Sequence, residues 1–199
     1  PAMPKVVDHE ARRLELMEVV VRLIARGGME AATIREIARE SGFSKGVVEH
    51  YFDDKEEMIS AALEWVNLRY GERTESATER LRGLAAIRKM IGATLPLTEA
   101  IRDEWRVRLV FWSAAAIDGA LREQQGVRFQ KAVDQFAKHL REALEDGEIA
   151  PGLAPPEDEA RRLVNATSGV AIAALHNDAY GSRKFLEAEI DQLLNRFSG

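Results

Sequence analysis

Apolar side chains recur at steps of three and four residues along most of the chain, which is the spacing of one face of an α-helix. The first such run covers Asp8 to Arg26 and ends at Gly27 and Gly28, where glycine can turn a helix terminus at little cost. Further runs predict helices over residues 53–82, 85–95, 101–116, 121–145, 157–179 and 182–197, with a loop over 146–156. No segment alternates as a strand does, so the pattern predicts an all-α protein of about nine helices.

The stretch from Thr33 to Lys55 predicts two short helices joined by a tight turn and followed by a long helix. Thr33 and Glu36 form a T-x-x-E box, in which each side chain can accept a hydrogen bond from the other residue's amide. Ser44 can cap the second helix in the same way. At the next helix, Asp53 or Asp54 can act as the cap, with a glutamate three residues later.

The turn itself has the residue pattern of a DNA-binding helix-turn-helix. Ala38 is small where two helices would cross, Gly42 can adopt a positive φ, and the β-branched Val48 follows six residues later. An ordinary corner between two helices could show the same alanine and glycine. The pattern alone therefore does not decide between these two interpretations.

A resemblance to the TetR family of one-component repressors is carried by the segment ATIREIARESGFSKGVVEHYFDDKEEMI. Within that family, the run SKGVVEHYF is most similar to the choline-responsive BetI-like repressors. The chain departs from its relatives at Glu49, where a phosphate-contacting aromatic residue is common. The resemblance implies a three-helix DNA-binding domain over residues 8–55, followed by a helical bundle over residues 56–199 for effector binding and dimerisation.

The resemblance also implies which residues contact DNA. In this type of docking, the first turn of the second motif helix meets base edges, and its surroundings contact phosphates. The base-reading residues would be Ser44, Lys45, Gly46 and Val47, and the phosphate-contacting residues Thr33, His50, Tyr51 and Lys55. Three of these have other interpretations: Thr33 is also a cap, Tyr51 can be a core residue, and Lys55 can pair with neighbouring acids.

Composition and charge constrain these expectations. Hydrophobic residues make up 46% of the 199 residues and charged residues 31%, which is typical of a soluble globular protein. With neither a secretion signal nor an apolar run of membrane length, we expect a cytoplasmic protein and no membrane partner. Residues 1–52 contain eight basic and eight acidic residues, and the chain has a net charge of −5. DNA binding must therefore be argued from the placement of charges rather than from their total.

The sequence contains no pattern typical of catalysis or of metal binding. It has no cysteine, and its four histidines are scattered without H-x-x-x-H or H-E-x-x-H spacing. It also has no phosphate-binding loop and no nucleophile elbow. We therefore expect no enzyme activity, no cofactor and no metal site.

Trp105 and Trp112 lie seven residues apart on one face of a predicted helix, with Phe111 beside the second tryptophan. The resemblance implies an effector pocket among the C-terminal helices, so these three residues are the predicted effector site. Their aromatic faces could hold a cationic group beside an acid, and the candidate acids are Asp103, Glu104 and Asp118. Aromatic residues at helical spacing are more often core residues, and that alternative stays open.

The last two predicted helices are candidates for dimerisation. Small residues make the first unusually narrow, and the second has a wide apolar stripe. The resemblance implies that both pack across a two-fold axis as a four-helix bundle. The predicted contact residues are Gly169, Ala173, Ile190, Leu193 and Leu194, although packing within one chain could also explain the pattern.

These features predict a dimeric transcriptional regulator, most often a repressor, released from DNA by a small molecule. Its expected partners are double-stranded operator DNA, an effector and a second copy of the chain. Two other classes also fit the sequence. One is a helical protein-interaction module that no longer binds DNA, and the other is a helical small-molecule carrier or enzyme.

Overall fold

The computed structural model describes residues 9–149, 152 and 154–197, and within these ranges the chain forms nine α-helices and no strand. Their bounds are α1 His9–Gly27, α2 Ile34–Ser41, α3 Lys45–Tyr51, α4 Lys55–Thr78, α5 Gly83–Thr94, α6 Glu99–Ala115, α7 Gly119–Glu145, α8 Pro156–His176 and α9 Arg183–Asn195. A short 3₁₀-helix, Met29–Ala31, precedes α2. The predicted all-α fold is confirmed.

A few predictions concern residues outside the described ranges. Asp8, the predicted start of the first helix and of the DNA-binding domain, is one of them. Ala150, Pro151 and Leu153 of the predicted loop and the last two residues of the chain are the others. In the described residues, no helix has the length and apolar character needed to cross a membrane.

Helix α2 begins and ends as the sequence predicts, but one half of its capping box is wrong. The Thr33 hydroxyl accepts a hydrogen bond from the Glu36 amide at 3.2 Å. Gly42 ends the helix with a φ of 74° and donates its amide hydrogen to the carbonyl of Ala38. The Glu36 carboxylate does not return to the Thr33 amide, because it binds the guanidinium of Arg39 at 2.6 Å instead.

The starts of α3 and α4 are also fixed by side-chain caps. Ser44 accepts from the Val47 amide at 3.3 Å, which confirms the predicted cap of α3. Asp54 accepts from the Glu57 amide at 2.7 Å, and the Glu57 carboxylate accepts from the amide of Asp53 at 2.7 Å. Each cap satisfies amides that have no partner within the helix.

The buried residues form two clusters, and the first encloses the helix-turn-helix. We call α1, α2, α3 and residues 55–66 of α4 the headpiece. Its core contains the buried residues of these helices and also Val107 and Phe111 of α6. The headpiece core therefore extends past the predicted division at residue 55 and includes part of α6.

The helical periodicity of residues 8–26 and 53–82 predicts that Leu14, Leu68 and Leu81 are buried, and these three assignments are wrong. Leu14 is 48% exposed and Leu68 is 58% exposed, and Leu81 also faces outward. Leu63 and Val66 are buried on α4 instead. The reason is that α4 changes neighbours along its length: it packs on α1 in the headpiece and then on α5 and α6. A single stripe cannot describe a helix whose buried side changes in this way.

The second cluster is the core of the C-terminal bundle. Helix α7 packs against α5, α6 and α8, and α9 closes the bundle against α5 and α8. The large buried residues of this cluster include Ile87, Met90, Ile91, Trp105, Phe136, Leu140, Leu163, Leu186, Ile190, Leu194 and Phe197.

The start of α5 is held by one acid near the C-terminal end of α7 and by a second acid just after that helix. The N-cap residue of α5 makes no side-chain cap, so Glu142 accepts from the Gly83 amide at 3.2 Å and Glu148 accepts from the Leu84 amide at 2.6 Å. Gly83 has a φ of 60°, and a Cβ there would collide with the Glu148 carboxylate. Burial raises the pKa of Glu142, but its hydrogen bonds with His139 and Gly83 outweigh burial, so the pKa is lowered overall.

Replacing Glu142 by Gln should lower the free energy of unfolding near neutral pH by about 1–2 kcal/mol, because a neutral amide oxygen accepts hydrogen bonds more weakly than a carboxylate by about that much. Since the pKa of Glu142 is lowered in the folded protein, this contribution is complete above the unfolded-state pKa and is lost as pH falls through the folded-state pKa. Urea unfolding across the acid range measures the difference. The exposed Glu145 is the matched control, and a Glu142→Gln deficit that persists unchanged in acid would contradict the assignment.

Candidate functional site

The first turn of α3 is open to solvent, as a base-reading helix requires. Ser44, Lys45 and Gly46 are exposed and Val47 is half-buried, while Val48 behind them is fully buried. A Cβ added at Gly46 would meet no atom within 4 Å, so the backbone there is accessible. Lys45 forms no ion pair with any residue in the described part of the chain. These four predicted base-reading residues therefore share one uncovered surface.

The predicted phosphate-contacting residues lie at the start of α2, at the end of α3 and at the start of α4. Thr33 and His50 are exposed, and Tyr51 is half-buried with its hydroxyl 3.1 Å from Nδ1 of His9. The Lys55 ammonium lies 2.6 Å from the carboxylate of Glu30, so its ion pair is not with the acids of its own helix. A phosphate at Lys55 would have to compete with Glu30.

Two acids of α2 are neutralised by arginines of the headpiece. Glu40 pairs with Arg26 at 2.6 Å, and Glu36 pairs with Arg39 at 2.6 Å. On the same helix, Arg35 is exposed and makes no ion pair with a described residue. The net charge of zero over residues 1–52 therefore includes two exposed cations, Arg35 on α2 and Lys45 on α3, that pair with no described acid.

A cavity of about 330 Å³ lies in the bundle between α4, α6, α7 and α8. Trp105 and Trp112 both line it, with ring centroids 5.7 Å apart and an interplanar angle of 86°. The remaining lining residues are Leu63, Asn67, Tyr70, Gly71, Glu75, Thr94, Arg108, Gln125, Arg128, Phe129, Lys131, Ala132, Gln135, Phe136, Val164, Thr167 and Ser168. The volume is at the lower end of the range of about 300–1,000 Å³ found for small-molecule sites.

Trp105 and Trp112 differ in their surroundings. Trp105 is 2% exposed, and its Nε1 donates a hydrogen bond to the Thr94 carbonyl at 2.7 Å. Trp112 is half-buried at the cavity edge. Trp105 is therefore both a core residue and part of the cavity wall, whereas Trp112 belongs mainly to the cavity wall.

Phe111 does not line the cavity, so its predicted place in the effector site is corrected. It is 5% exposed and packs in the headpiece core together with Val107. Residues 111 and 112 lie 100° apart around a helix, and α6 is covered on both sides. Adjacent aromatic residues therefore enter different cores.

The predicted acids are also occupied elsewhere. Asp103 binds Arg106 at 2.6 Å, and Asp118 caps α7. Glu104 is buried and forms two hydrogen bonds to Arg73, at 2.9 and 2.7 Å. The structure therefore does not offer these three carboxylates to a cation in the cavity.

The polar residues of the cavity were not predicted from the sequence, and they include Asn67, Tyr70, Arg108 and Thr167. Arg108 is 8% exposed, and burial lowers its pKa while Glu104 acts in the opposite sense. Its sequence position contained a signal, because it lies between Trp105 and Trp112 on the same helix. A charged residue among buried aromatic residues is a candidate for ligand binding. Among the described residues, no group of three side chains is suited to hold a metal ion.

The predicted dimerisation residues fall into two groups. Gly169 is exposed, Ala173 and Leu193 are half-buried, and a Cβ at Gly169 would meet no atom within 4 Å. Ile190 and Leu194 are 6% and 7% exposed and belong to the core of their own bundle, so they are not available as a contact surface. The wide stripe of α9 arises because this helix covers both α5 and α8.

Comparisons with known proteins identify relatives for both parts of the chain. Residues 16–62 match the profile described as bacterial regulatory proteins, tetR family, and residues 83–197 match BetI-type transcriptional repressor, C-terminal. The transcriptional regulator PksA of Bacillus subtilis is 27% identical over 173 residues, which cover 87% of this chain and 83% of that protein. The regulator BetI of Burkholderia cenocepacia is 30% identical over 161 residues, covering 76% and 81%. These relatives are transcriptional regulators, not enzymes.

A solved structure agrees with this comparison at the level of the fold. A regulator from Saccharomonospora viridis, solved in complex with choline, superposes with a TM-score of 0.83 over 94% of this chain and 97% of that one. Its sequence identity is 21%.

Replacing each tryptophan by Ala should separate their roles. Trp105→Ala should lower the free energy of unfolding by about 3–5 kcal/mol, as truncation of a buried aromatic residue does, and it leaves the Thr94 carbonyl without its donor. Trp112→Ala should lower the free energy of unfolding much less, because the Trp112 ring already borders the cavity. Thermal melting of both variants measures this. Equal losses would contradict the division into core and wall.

Proposed function

The chain belongs to the TetR family of bacterial regulatory proteins, and from that membership we propose that it is a homodimeric repressor that leaves its operator when a small molecule fills the cavity. It is a helix-turn-helix transcriptional regulator with an all-α fold. The observation that carries the proposal is that α6 contributes to both functional regions. Trp105 and Trp112 line the cavity, while Val107 and Phe111 pack in the headpiece core.

On the DNA side, α3 would enter the major groove with Lys45 reaching a base edge and Gly46 allowing close approach. Thr33, His50, Tyr51 and Lys55 would contact the phosphates that fix its orientation. The ion pairs of Glu36 and Glu40 support this role, since they leave fewer acids near the groove unneutralised. A module that had lost DNA binding would have no need for an uncovered first turn on α3.

On the effector side, a ligand between α4, α6, α7 and α8 would favour one position of α6 over another. Because packed helices shift as units rather than deform, a displacement of α6 would move Val107 and Phe111 and with them the headpiece. The effector must bind the DNA-released conformation more tightly, since equal affinity for both states shifts nothing. This differential binding is what distinguishes a regulator from a carrier or an enzyme, and we propose no catalytic role.

The dimer would form through the outer faces of α8 and α9, with Gly169, Ala173 and Leu193 at the contact. Two copies would then place two α3 helices on successive half-sites, and operator binding would need both. Since its proposed partner is operator DNA, we expect the protein in the cytoplasm.

The first test is DNA binding as a function of salt, measured by mobility shift with the upstream region of its own gene. Lys45→Ala should weaken DNA binding by about 1–3 kcal/mol and reduce the preference for the operator over other sequences. Lys55→Ala should weaken binding to all DNA sequences alike. It should also reduce the slope of log affinity against log salt concentration by about one. Glu30→Gln should strengthen binding slightly, because it removes the competitor of phosphate at Lys55.

Lys138 on α7 is the control for charge alone, and Lys138→Ala should leave binding unchanged. Binding that does not respond to salt would contradict phosphate contact. If Lys45→Ala lost the same affinity for every DNA sequence, the proposed base contact of Lys45 would be contradicted.

The second test concerns assembly. Gly169→Trp should convert a dimer into a folded monomer and abolish operator binding, because the indole would occupy space that is open in one chain and closed in the dimer. Gly126→Trp on α7 is a matched control, since a Cβ there also meets no atom within 4 Å. Sedimentation measures the state of each, and a Gly169→Trp protein that stays dimeric would refute this interface.

A further inference from the structure

Three side chains on the cavity wall have buried polar atoms without a hydrogen-bond partner among the described residues. These atoms are both terminal nitrogens of Arg108, the amide nitrogen of Asn67 and the hydroxyl oxygen of Thr167. Arg108 is 8% exposed and Thr167 is 2% exposed. Buried polar groups in native proteins nearly always have partners, and leaving one unsatisfied is costly. Since all three can donate a hydrogen bond, they point to a ligand that supplies acceptors.

The charge balance next to the cavity is one negative charge short. The Glu104 carboxylate forms two hydrogen bonds to Arg73, and the nearest nitrogen of Arg108 lies 3.7 Å away, beyond hydrogen-bond distance. One carboxylate therefore faces two guanidinium groups. A buried charge without full compensation is strongly unfavourable, so an anion in the cavity would be stabilised there.

The rim of the cavity has the same sign of charge. Arg128 and Lys131 of α7 both line it, and neither forms an ion pair within the described ranges of the chain. The one carboxylate among the described lining residues is that of Glu75, which is exposed. Three cationic side chains against one acid give a positive potential that attracts anions.

A cationic ligand would find its usual partners already taken. The guanidinium carbon of Arg108 lies 5.2 Å from the ring centre of Tyr70 and 5.2 Å from that of Trp105. These are the aromatic faces that would otherwise hold a ligand cation. Such a ligand would also meet the like charge of Arg108.

We propose that the effector is an apolar monocarboxylate whose carboxylate binds Arg108 and whose apolar body lies against Trp112, Phe129 and Phe136. Asn67 and Thr167 donate to the same carboxylate, and Arg108 offers two parallel donors that match its geometry. The cavity volume of about 330 Å³ suits a body of one or two rings or a short alkyl chain. This inference rests on the proposed function, because it names the class of effector.

The direct test uses probes of equal shape and different charge, titrated into the DNA-free protein by calorimetry. The first set is 4-phenylbutyrate, 4-phenylbutyramide and 4-phenylbutylamine, and octanoate and decanoate extend the carboxylates to alkyl chains. We expect at least one carboxylate to bind, with 4-phenylbutyrate at least tenfold tighter than its amide and the amine weakest. Failure of every carboxylate, or equal or tighter binding of the amide or amine, overturns the proposal.

Variants assign the preference to Arg108. Arg108→Gln should bring the carboxylate and the amide to equal affinity, and Arg108→Lys should retain a reduced preference. Arg106→Gln is the matched control on the same helix, because Arg106 is paired with Glu99 and Asp103 outside the cavity. An unchanged preference in folded Arg108→Gln overturns the proposal.

Should Arg108→Gln fail to fold, Asn67→Asp decides the question. The Asn67 amide nitrogen has no partner among the described residues, so this exchange breaks no hydrogen bond and adds a carboxylate to the cavity. That carboxylate should take the place of the ligand's, raising the melting temperature and abolishing binding of 4-phenylbutyrate. Undiminished binding of 4-phenylbutyrate to Asn67→Asp overturns the proposal.

Release from operator DNA by the same probes separates this inference from the proposed function. A carboxylate that binds with the expected preference and leaves the operator complex intact supports the anion site and contradicts ligand-driven release. Release by the amide and the carboxylate at equal concentrations supports the repressor function and overturns the anion site.

Discussion

The ion pair between Arg73 and Glu104 is the contact on which the shape of the cavity depends. It joins α4 to α6 through two hydrogen bonds, and the same guanidinium donates a third bond to the carbonyl of Ala93 near the end of α5. Three helices are therefore held at fixed separation by one side chain. Removing one partner of a buried pair costs about 3–5 kcal/mol. On the α4–α6 side of the cavity, the two helices are thus joined by polar contacts as well as by apolar packing.

This arrangement gives α6 a structural role in both halves of the protein. One side of the helix meets the cavity and the other side meets α1 in the headpiece core. Helix α4 also connects the two regions, since its first turns pack in the headpiece and its later turns line the cavity. A ligand that shifts either helix acts on the base-reading surface without any contact to it, because a close-packed core cannot absorb the movement.

Local signals in the sequence predicted local structure well. The caps at Thr33, Ser44 and Asp54 and the turn at Gly42 depend on one or two neighbouring residues, and the structure has all four. Periodicity was less informative where a helix is covered on more than one side. Ile190 and Leu194 illustrate this, because an apolar stripe shows that a residue is buried without showing which helix covers it.

The cluster around Arg108 could not have been predicted from spacing alone. Tyr70, which contacts Arg108, and Arg73, which binds the Glu104 carboxylate beside it, come from α4, more than thirty positions earlier in the chain, and only the packing of α4 on α6 brings them together. A sequence pattern shows that a charged residue lies among aromatic residues. It does not show whether the neighbouring acid compensates that charge, which is the property that decides the chemistry of the site.

Helix α7 provides a large share of the cavity wall, including Phe129, Ala132 and Phe136, and among the described residues it adds none to the headpiece core. Substitutions on this helix can therefore reshape the binding site while α4 and α6 keep their contacts with the DNA-reading region. Evolution can exchange the molecule that is sensed without rebuilding the part that recognises the genome. Among homologues, substitutions that change ligand specificity should accordingly be concentrated on α7. This helix should also be under weaker purifying selection than α6.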